Sequence, residues 1–322
     1  MKKIISFVVV IIALIAMTIY ATMTGSIQVD TLSFIKTVFD PNDETMQVIR
    51  DLRFPRIIVA IFAGAALSVA GVLLQAIMRN PLADAGVIGI SAGSAFVTTF
   101  LLTMFPAYFM YGPLFSFIGG AIACFLVFSL SFKSGLNPLK IILVGIAIAA
   151  MFTGLREAFV TICGYMGVMV DGTVSSNLSM RTWNEVEIIV FYGVIGLIVA
   201  TLLAKWCNLL ILQDKTAKSL GFNVTRARVI IAAVAVLLAG VATATVGVIS
   251  FVGLLIPHIA RRLVGHDHKV LIPFSALAGG LLILMADTLG RTLLAPQEIP
   301  ASTIMAIIGG PFLIFLLRRE KN

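Results

Sequence analysis

The sequence predicts an all-α, polytopic membrane protein with ten transmembrane helices and both termini in the cytoplasm. Apolar residues make up 60% of the 322 residues, charged residues only 12%, and the mean hydropathy is +1.08. Apolar runs recur along the chain at about the 20-residue length that a helix needs to cross the hydrocarbon core. Since a spanning segment must satisfy its own backbone hydrogen bonds, we expect helices rather than open strands.

The apolar runs define the spans. They lie at about residues 4–23, 57–78, 86–105, 113–132, 139–160, 186–206, 229–264, 270–290 and 300–317. The run at 229–264 is too long for one span, and it has Arg226 before it and Lys269 after it. Because basic residues mark the cytoplasmic ends of spans, this run must turn back on itself. We place the turn in the small and β-branched residues 242–247, which gives ten helices.

The charged residues support this orientation. Lys2 and Lys3 begin the chain and Arg318 and Arg319 lie near its end, so both termini are expected inside. In this layout 16 of the 23 basic residues face the cytoplasm, against four of the 15 acidic residues, among them Asp84. The net charge of +8 therefore reflects topology rather than nucleic-acid binding. We expect one transmembrane domain over residues 1–322, with the first run retained as a helix rather than cleaved as a signal peptide.

Several kinds of site are missing from the sequence. No lysine follows a glycine, so there is no phosphate-binding P-loop, and we find no His-Glu-x-x-His motif. No catalytic residue, metal site or cofactor is therefore predicted. His266-Asp267-His268 is interpreted as a solvated loop, because a metal site needs a completed ligand geometry.

Four arginines oppose the topology bias at the outer side of the membrane. They are Arg50, Arg53 and Arg56 before the second span and Arg291 after the ninth. Local pairing with Asp43, Asp51 or Glu298, or binding of lipid phosphate, is one interpretation. The other is a docking surface for an acidic patch on an external partner, because the planar guanidinium can bind both carboxylate oxygens. The residues alone leave both open.

A short cytoplasmic helix is predicted within residues 209–222. Asp214 can cap its N-terminus and Gly221 can end it. Ala217 and Leu220 are three residues apart, so we expect them to share one face. Such a helix can dock in a partner's groove, or it can simply connect two spans along the membrane surface. The residues alone favour the connecting helix.

Two further features lie at the ends of spans. Asn80-Pro81-Leu82 and Asn137-Pro138-Leu139 mark helix boundaries at the inner side, because proline disfavours a continuing helix. Toward the outer ends, Arg156, Glu157 and Asp287 are intramembrane charges and hence functional candidates. Arg156 and Glu157 are adjacent and point in different directions; they line a wet outer vestibule or reach the outer interface.

One face of the second span consists of small residues. Ala60, Gly64 and Ser68 recur at four-residue spacing, which lets two helices approach closely. We interpret this face as ordinary bundle packing.

Several stretches carry a family resemblance. They are Leu52-Arg53-Phe54-Pro55-Arg56, Gly64-Ala65-Ala66-Leu67, Asn80-Pro81-Leu82-Ala83, Gly89-Ile90-Ser91-Ala92-Gly93, Phe251-Val252-Gly253-Leu254-Leu255-Ile256-Pro257-His258-Ile259-Ala260-Arg261, Glu298-Ile299-Pro300 and Gly309-Gly310-Pro311-Phe312. Together, over nearly the whole chain, they resemble the FecCD-type permeases, which include the permeases of siderophore, haem and vitamin B12 importers.

The resemblance implies the partners. It implies a second permease subunit, either another copy or a paralogue, two ATPase subunits that hydrolyse ATP, and an external substrate-binding protein that is a lipoprotein or periplasmic. It implies a location in the bacterial cytoplasmic membrane. By resemblance, Arg53, Arg56 and Arg291 meet glutamates on the binding protein.

The resemblance also assigns the cytoplasmic features. The segment from Asp214 to Gly221, with Ala217 and Leu220, is similar to the family's coupling helix, although Gln213 stands where the family usually has glycine. The inner-gate positions match Asn80, Leu82, Asn137, Pro138 and Leu139. The outer loop departs from the family at Thr173 and Ser176-Asn177-Leu178 and keeps Trp183, so it indicates no substrate.

The expected function follows from the resemblance. We expect ATP-driven import of an iron chelate by alternating access at a dimer interface, with a ferric siderophore ahead of haem and cobalamin. An ion-coupled secondary transporter is the alternative, but it would need midplane ionisable residues or broken helices around an ion site. The few intramembrane charges lie instead near the outer ends of the spans.

Overall fold

The computed structural model describes residues 2–24, 47, 49–132, 138–170, 178–179, 181–295 and 297–319. Within these residues the chain forms α-helices and no β-strand. The helices are α1 (Lys2–Met23), α2 (Phe54–Met78), α3 (Ile90–Met104), α4 (Gly112–Phe132), α5 (Pro138–Tyr165), α6 (Trp183–Leu202), α7 (Ala204–Leu210), α8 (Asp214–Ser219), α9 (Val224–Val246), α10 (Val252–Val264), α11 (His268–Thr292) and α12 (Ala301–Arg319). A π-helical turn, Ile49–Arg53, leads into α2, and a 3₁₀ turn, Pro106–Tyr111, leads into α4. The all-α prediction is confirmed.

Seven helices of the described chain are long and apolar enough to cross a membrane. They correspond to α1, α2, α4, α5, α6, α9 and α11. Two more are apolar but shorter, Ile90–Met104 and Ala301–Ile314. Each predicted apolar run thus corresponds to at least one helix.

The run at 229–264 is divided into two helices, but not where we expected. The turn predicted at 242–247 is wrong, because α9 continues to Val246 and the break covers residues 247–251. The hydroxyl of Thr245 donates to the carbonyl of Val241 at 2.9 Å and so is satisfied inside the helix. Gly247, with φ of 74°, then takes a conformation that glycine adopts readily and that ends the helix.

The centre of the bundle is α2, whose residues are almost all buried. It packs against α11, α9, α6 and α10. The predicted small-residue face meets α11: a Cβ on Gly64 would stand 2.1 Å from the carbonyl oxygen of Gly279, and Ser68 Oγ donates to Ser275 O at 2.6 Å. Backbones therefore touch directly along this interface, as small residues allow.

Candidate functional site

The arginines that we predicted for the outer side are buried in the described structure. Arg53, Arg56 and Arg291 are only 7%, 9% and 7% exposed. The first two stand at the start of α2, because Pro55 occupies the first turn and fixes where the helix begins. Arg291 lies in the last turn of α11.

Arg56 lies between two carboxylates. Its Nε and Nη2 donate to Asp287 at distances of 2.8–3.1 Å, and its Nη1 donates to both oxygens of Glu298 at 3.0 Å. Such fork-like pairing is the strong form of an ion pair. The interpretation that Arg56 pairs with Glu298 is confirmed, and Asp287, which is 1% exposed, is the deeper partner.

The other two arginines hold the end of the first helix. Arg53 Nη1 donates to the carbonyl oxygen of Thr22 at 2.6 Å, and Arg291 Nη2 donates to that of Ala21. These carbonyls belong to the last turn of α1, where the helix has no internal donors for them. Positive charge is also favourable at a helix C-terminus. The docking role of the arginines stays a prediction.

Glu298 lies at the rim of this cluster, in the connection between α11 and α12. Partial burial works against its ionisation, but the hydroxyl of Ser179 and the guanidinium of Arg56 hold the pKa of the Glu298 carboxyl below its ordinary value. The cluster of three arginines and two carboxylates, Asp287 and Glu298, therefore carries one excess positive charge.

On the opposite side, α8 forms the predicted short helix. Gln213, not Asp214, occupies its N-cap position, so the prediction that Asp214 caps the helix is wrong. Asp214 is the first helical residue, and its carboxylate instead pairs with Arg79 at 2.6 Å and Arg228 at 3.0 Å. Partial burial opposes ionisation, but the two arginines hold the pKa of Asp214 below its ordinary value.

The end of α8 follows the prediction for Gly221. This residue has φ of +77°, its N–H donates to Lys218 O at 2.9 Å, and the N–H of Phe222 donates to Ala217 O at 3.1 Å. This is the Schellman pattern, in which glycine is favoured because the left-handed conformation costs it nothing.

The shared face predicted for Ala217 and Leu220 is wrong. Ala217 is fully buried, whereas Leu220 is 66% exposed. The helix ends at Ser219, so Leu220 has left the helical path and points away from the side that packs on the bundle. The exposed apolar side chain is on the cap of α8 rather than on its buried face.

The two Asn-Pro-Leu turns are helix boundaries, as predicted. After α2 ends, Asn80 is buried and its Oδ1 accepts from the N–H of Leu82 at 2.9 Å, while Leu82 is half-buried. Asn137 lies outside the described residues; α5 begins at Pro138 and includes Leu139. Proline suits the first helical position because the N–H that it lacks has no partner there. The gating role of both turns stays a prediction.

The intramembrane charges Arg156 and Glu157 separate, as adjacent helical residues do. Arg156 Nε donates to Thr99 Oγ1 of α3 at 3.2 Å, and Glu157 is exposed on the surface of α5. The vestibule role of both residues stays a prediction.

The histidine loop is built into the start of α11. Asp267 caps the helix, because its Oδ1 accepts from Lys269 N–H at 3.1 Å, and Asn208 donates to the same oxygen at 2.7 Å. His268 is 3% exposed and its Nδ1 lies 2.7 Å from Asn208 Oδ1. His268 therefore does not lie in the solvated loop that we expected for residues 266–268.

Sequence reasoning missed three residues near the end of α2. Arg79 is one of the 16 basic residues that we expected to face the cytoplasm, and it bonds to α8. Gln75 donates to the carbonyls of Ala83 and Gly253. Asp84 was counted among the acidic residues that face the cytoplasm; it is 3% exposed, and it accepts from backbone N–H groups, including that of Phe251 before α10. For Arg79, the available signal was its position directly before Asn80-Pro81.

Comparison with known proteins gives matches over the whole chain. The model of the FecCD transport family matches residues 11–319. The protein named probable heme-iron transport system permease protein IsdF is 39% identical in Staphylococcus aureus strain MSSA476 and 38% in strain Newman, in each case over 100% of this chain and 98% of the relative.

Solved structures agree with the fold. A metal-chelate type ABC transporter in an inward-facing conformation matches with a TM-score of 0.79 and 27% identity over 99% of both chains. A chain of PsaBC from Streptococcus pneumoniae matches with a TM-score of 0.61 and 15% identity over 89% of this chain and 95% of that one, which shows the fold alone. With its apolar helices, this chain is a multi-pass protein of the bacterial cytoplasmic membrane, and it belongs to the FecCD transport family, as its motifs predicted.

Proposed function

We propose that this chain is the membrane-spanning permease subunit of an ATP-driven importer of an iron chelate. The observation that carries the proposal is the likeness, over 99% of both chains, to a metal-chelate type ABC transporter. The described residues add a short helix, α8, that projects an exposed apolar cap at Leu220. A separate ATPase subunit would supply the energy, since the sequence has no P-loop of its own.

The proposed topology has ten spans and both termini in the cytoplasm. Seven spans come from the long apolar helices, and α3, α10 and α12 supply the other three. With α10 as a span, the basic end of that helix, Arg261 and Arg262, lies on the same side as Arg226, which agrees with the positive-inside rule.

Each part of the molecule has a role in this proposal. The outer cluster around Arg53, Arg56 and Arg291 receives the carboxylates of the loaded binding protein, and its excess positive charge favours that contact. The helix α8 docks in a groove of the ATPase subunit. The turns at residues 80–82 and 137–139 close the inner end of a pathway between two permease subunits, and Arg156 and Glu157 line its outer vestibule.

The burial of the arginines defines how docking must work. Arg56 already binds Asp287 and Glu298, so a carboxylate of the binding protein would join or replace the more exposed Glu298 rather than meet a free guanidinium. Arg50 is exposed at the same entrance.

Two cargoes are supported to the same extent by what is known of the chain. The sequence favoured a ferric siderophore, whereas the names of the Staphylococcus aureus relatives point to haem. The permease itself is expected to contact the cargo weakly, because the binding protein selects it.

Uptake by the reconstituted complex tests the proposal. Proteoliposomes containing the permease, its ATPase and its binding protein would be offered a ferric siderophore, haem or cobalamin, with ATP or a non-hydrolysable analogue. We expect uptake of one iron chelate that requires ATP and the binding protein and that survives ionophores. Uptake by the permease alone, abolished by ionophores, would establish the ion-coupled alternative instead.

A further inference from the structure

Arg79 joins the end of α2 to the segment that leads into α8. It is the C-cap residue of α2, with φ of 48°, so the chain turns sharply there. Its Nε donates to the carbonyl oxygen of Leu210 at 2.6 Å, and its Nη2 donates to that of Leu212 and to Asp214 Oδ1. One guanidinium therefore holds the last residue of α7, the following turn and the first residue of α8.

The residues after Arg79 are fixed to the bundle in the same way. Asn80 closes a turn on the N–H of Leu82 at 2.9 Å. Gln75 Nε2 donates to Ala83 O at 3.2 Å and also to Gly253 O at 3.0 Å, in the first turn of α10. The segment 79–84 is therefore a short bonded bridge, with α8 at one end and α10 at the other.

We infer that Arg79 is the positioning residue that carries displacement of α8 to the turn at residues 80–82. The inference rests on the proposed function, in which α8 receives the motion of the ATPase and this turn closes the inner end of the pathway. The geometry requires the coupling to be short: Arg79 is bonded to α8 through its side chain and to Asn80 through a peptide bond. A shift of α8 therefore displaces the turn without passing through the core of the bundle.

The chemistry of arginine explains why this residue type stands there. The acceptors are two carbonyl oxygens and a carboxylate, which belong to three different residues. A planar guanidinium presents several donors in fixed directions and can hold them together, whereas the ammonium of lysine is a compact charge on a flexible stem. Lysine would keep the attraction to Asp214 but not the fixed geometry.

Arg228 does not provide the same connection. It also binds Asp214, at 3.0 Å, but it lies in the second turn of α9, the helix that follows α8 in the chain. Its bond therefore secures α8 to its own neighbour and leaves the turn at 80–82 untouched. Of the two arginines, Arg79 is the one whose backbone continues into that turn.

The test compares Arg79→Gln, Arg79→Lys and, as a control, Arg262→Gln in the complete complex in proteoliposomes. Arg262 is an exposed arginine at the cytoplasmic end of α10. Two quantities are measured: chelate imported per ATP hydrolysed, and ATP-dependent labelling of a Leu82→Cys reporter by a thiol reagent. For Arg79→Gln we expect ATP hydrolysis to continue while import per ATP falls by about 2- to 30-fold, the range for residues that modulate coupling. Labelling of the reporter should then lose its response to ATP.

The outcomes are distinct. Arg79→Lys should fall between the wild type and Arg79→Gln, and Arg262→Gln should match the wild type. If Arg79→Gln assembles and keeps both the import ratio and the reporter response, the inference is overturned while the proposed function stands. If both Arg79 variants lose ATP hydrolysis along with import, Arg79 supports assembly rather than coupling, which also overturns it. If the wild-type complex shows no ATP-dependent import, the proposed function itself fails.

Discussion

Replacement of Gly64 by alanine tests how closely α2 and α11 approach. A Cβ at this position would stand 2.1 Å from the carbonyl oxygen of Gly279 and 2.6 Å from its carbonyl carbon. The obstacle is backbone, so no side-chain rotation can relieve it. Gly279 faces the same limit in return, because its own Cβ would lie 2.3 Å from the carbonyl oxygen of Gly64.

The cost follows from the separation that the helices would need. Ordinary van der Waals contact begins near 3.4 Å, so the two backbones must move apart by about 1.3 Å at this point. A gap of about 0.5–1 Å already removes a quarter to a half of the attraction in each neighbouring contact. Overpacking a tight interior costs about 1–3 kcal/mol, and this backbone contact belongs at the upper end, at about 3 kcal/mol.

Thermal unfolding of the detergent-solubilised permease, followed by the loss of its monodisperse chromatographic peak, measures the effect. A cost of about 3 kcal/mol lowers Tm by about 4–5 °C in a chain of this size. Gly154→Ala is the matched control, since a Cβ there meets no atom within 4 Å, and it should leave Tm unchanged or raise it slightly. Equal Tm values for the two variants would refute the close approach of α2 and α11.

Three other variants test separate features by the same unfolding assay, and the second of them is also tested by its ATPase rate. Asp287→Asn leaves Arg56 without its buried partner and should lower the free energy of unfolding by about 3–5 kcal/mol. Adding Arg56→Gln to that variant should cost much less, and losses that simply add would argue against the pair. Gly221→Ala forces alanine into φ of +77° and should cost about 1 kcal/mol, with a smaller binding-protein-stimulated ATPase rate if α8 is the docking helix; an unchanged rate would count against that role. Asn223→Ala removes the oxygen that accepts from Arg226 N–H at the start of α9 and should cost about 1 kcal/mol, whereas no loss would show that the cap contributes nothing.

The helices could be predicted because their signals are local. Apolar length located the long helices; α2 was expected at 57–78 and begins three residues earlier at Phe54. Gly221 could be predicted as the end of α8 because a left-handed φ favours glycine. Leu220 could not be placed correctly, because the spacing rule holds only while the helix continues, and it ends at Ser219.

The site was harder to predict because its contacts are not local. Arg56 and Asp287 were both singled out as charges, yet they are 231 residues apart in sequence, and nothing in either stretch names the other as a partner. Arg79 was hidden for a similar reason. Its position after an apolar helix fits an ordinary cytoplasmic charge, and its role depends on α7 and α8, more than 100 residues later.

The break at residues 247–251 has a consequence for how the chain enters the membrane during synthesis. The helix α10 has 13 residues and is about 20 Å long, which is less than the roughly 30 Å of the hydrocarbon core. It also ends in Arg261 and Arg262, so on its own it is a poor substrate for lateral transfer into lipid. In the proposed topology it would enter together with α9 as a hairpin, and its close packing partner is α2, where a Cβ on Gly71 would stand 2.1 Å from the carbonyl oxygen of Gly253. Correct insertion of the last third of the chain therefore depends on a helix made much earlier, so biogenesis cannot proceed one span at a time.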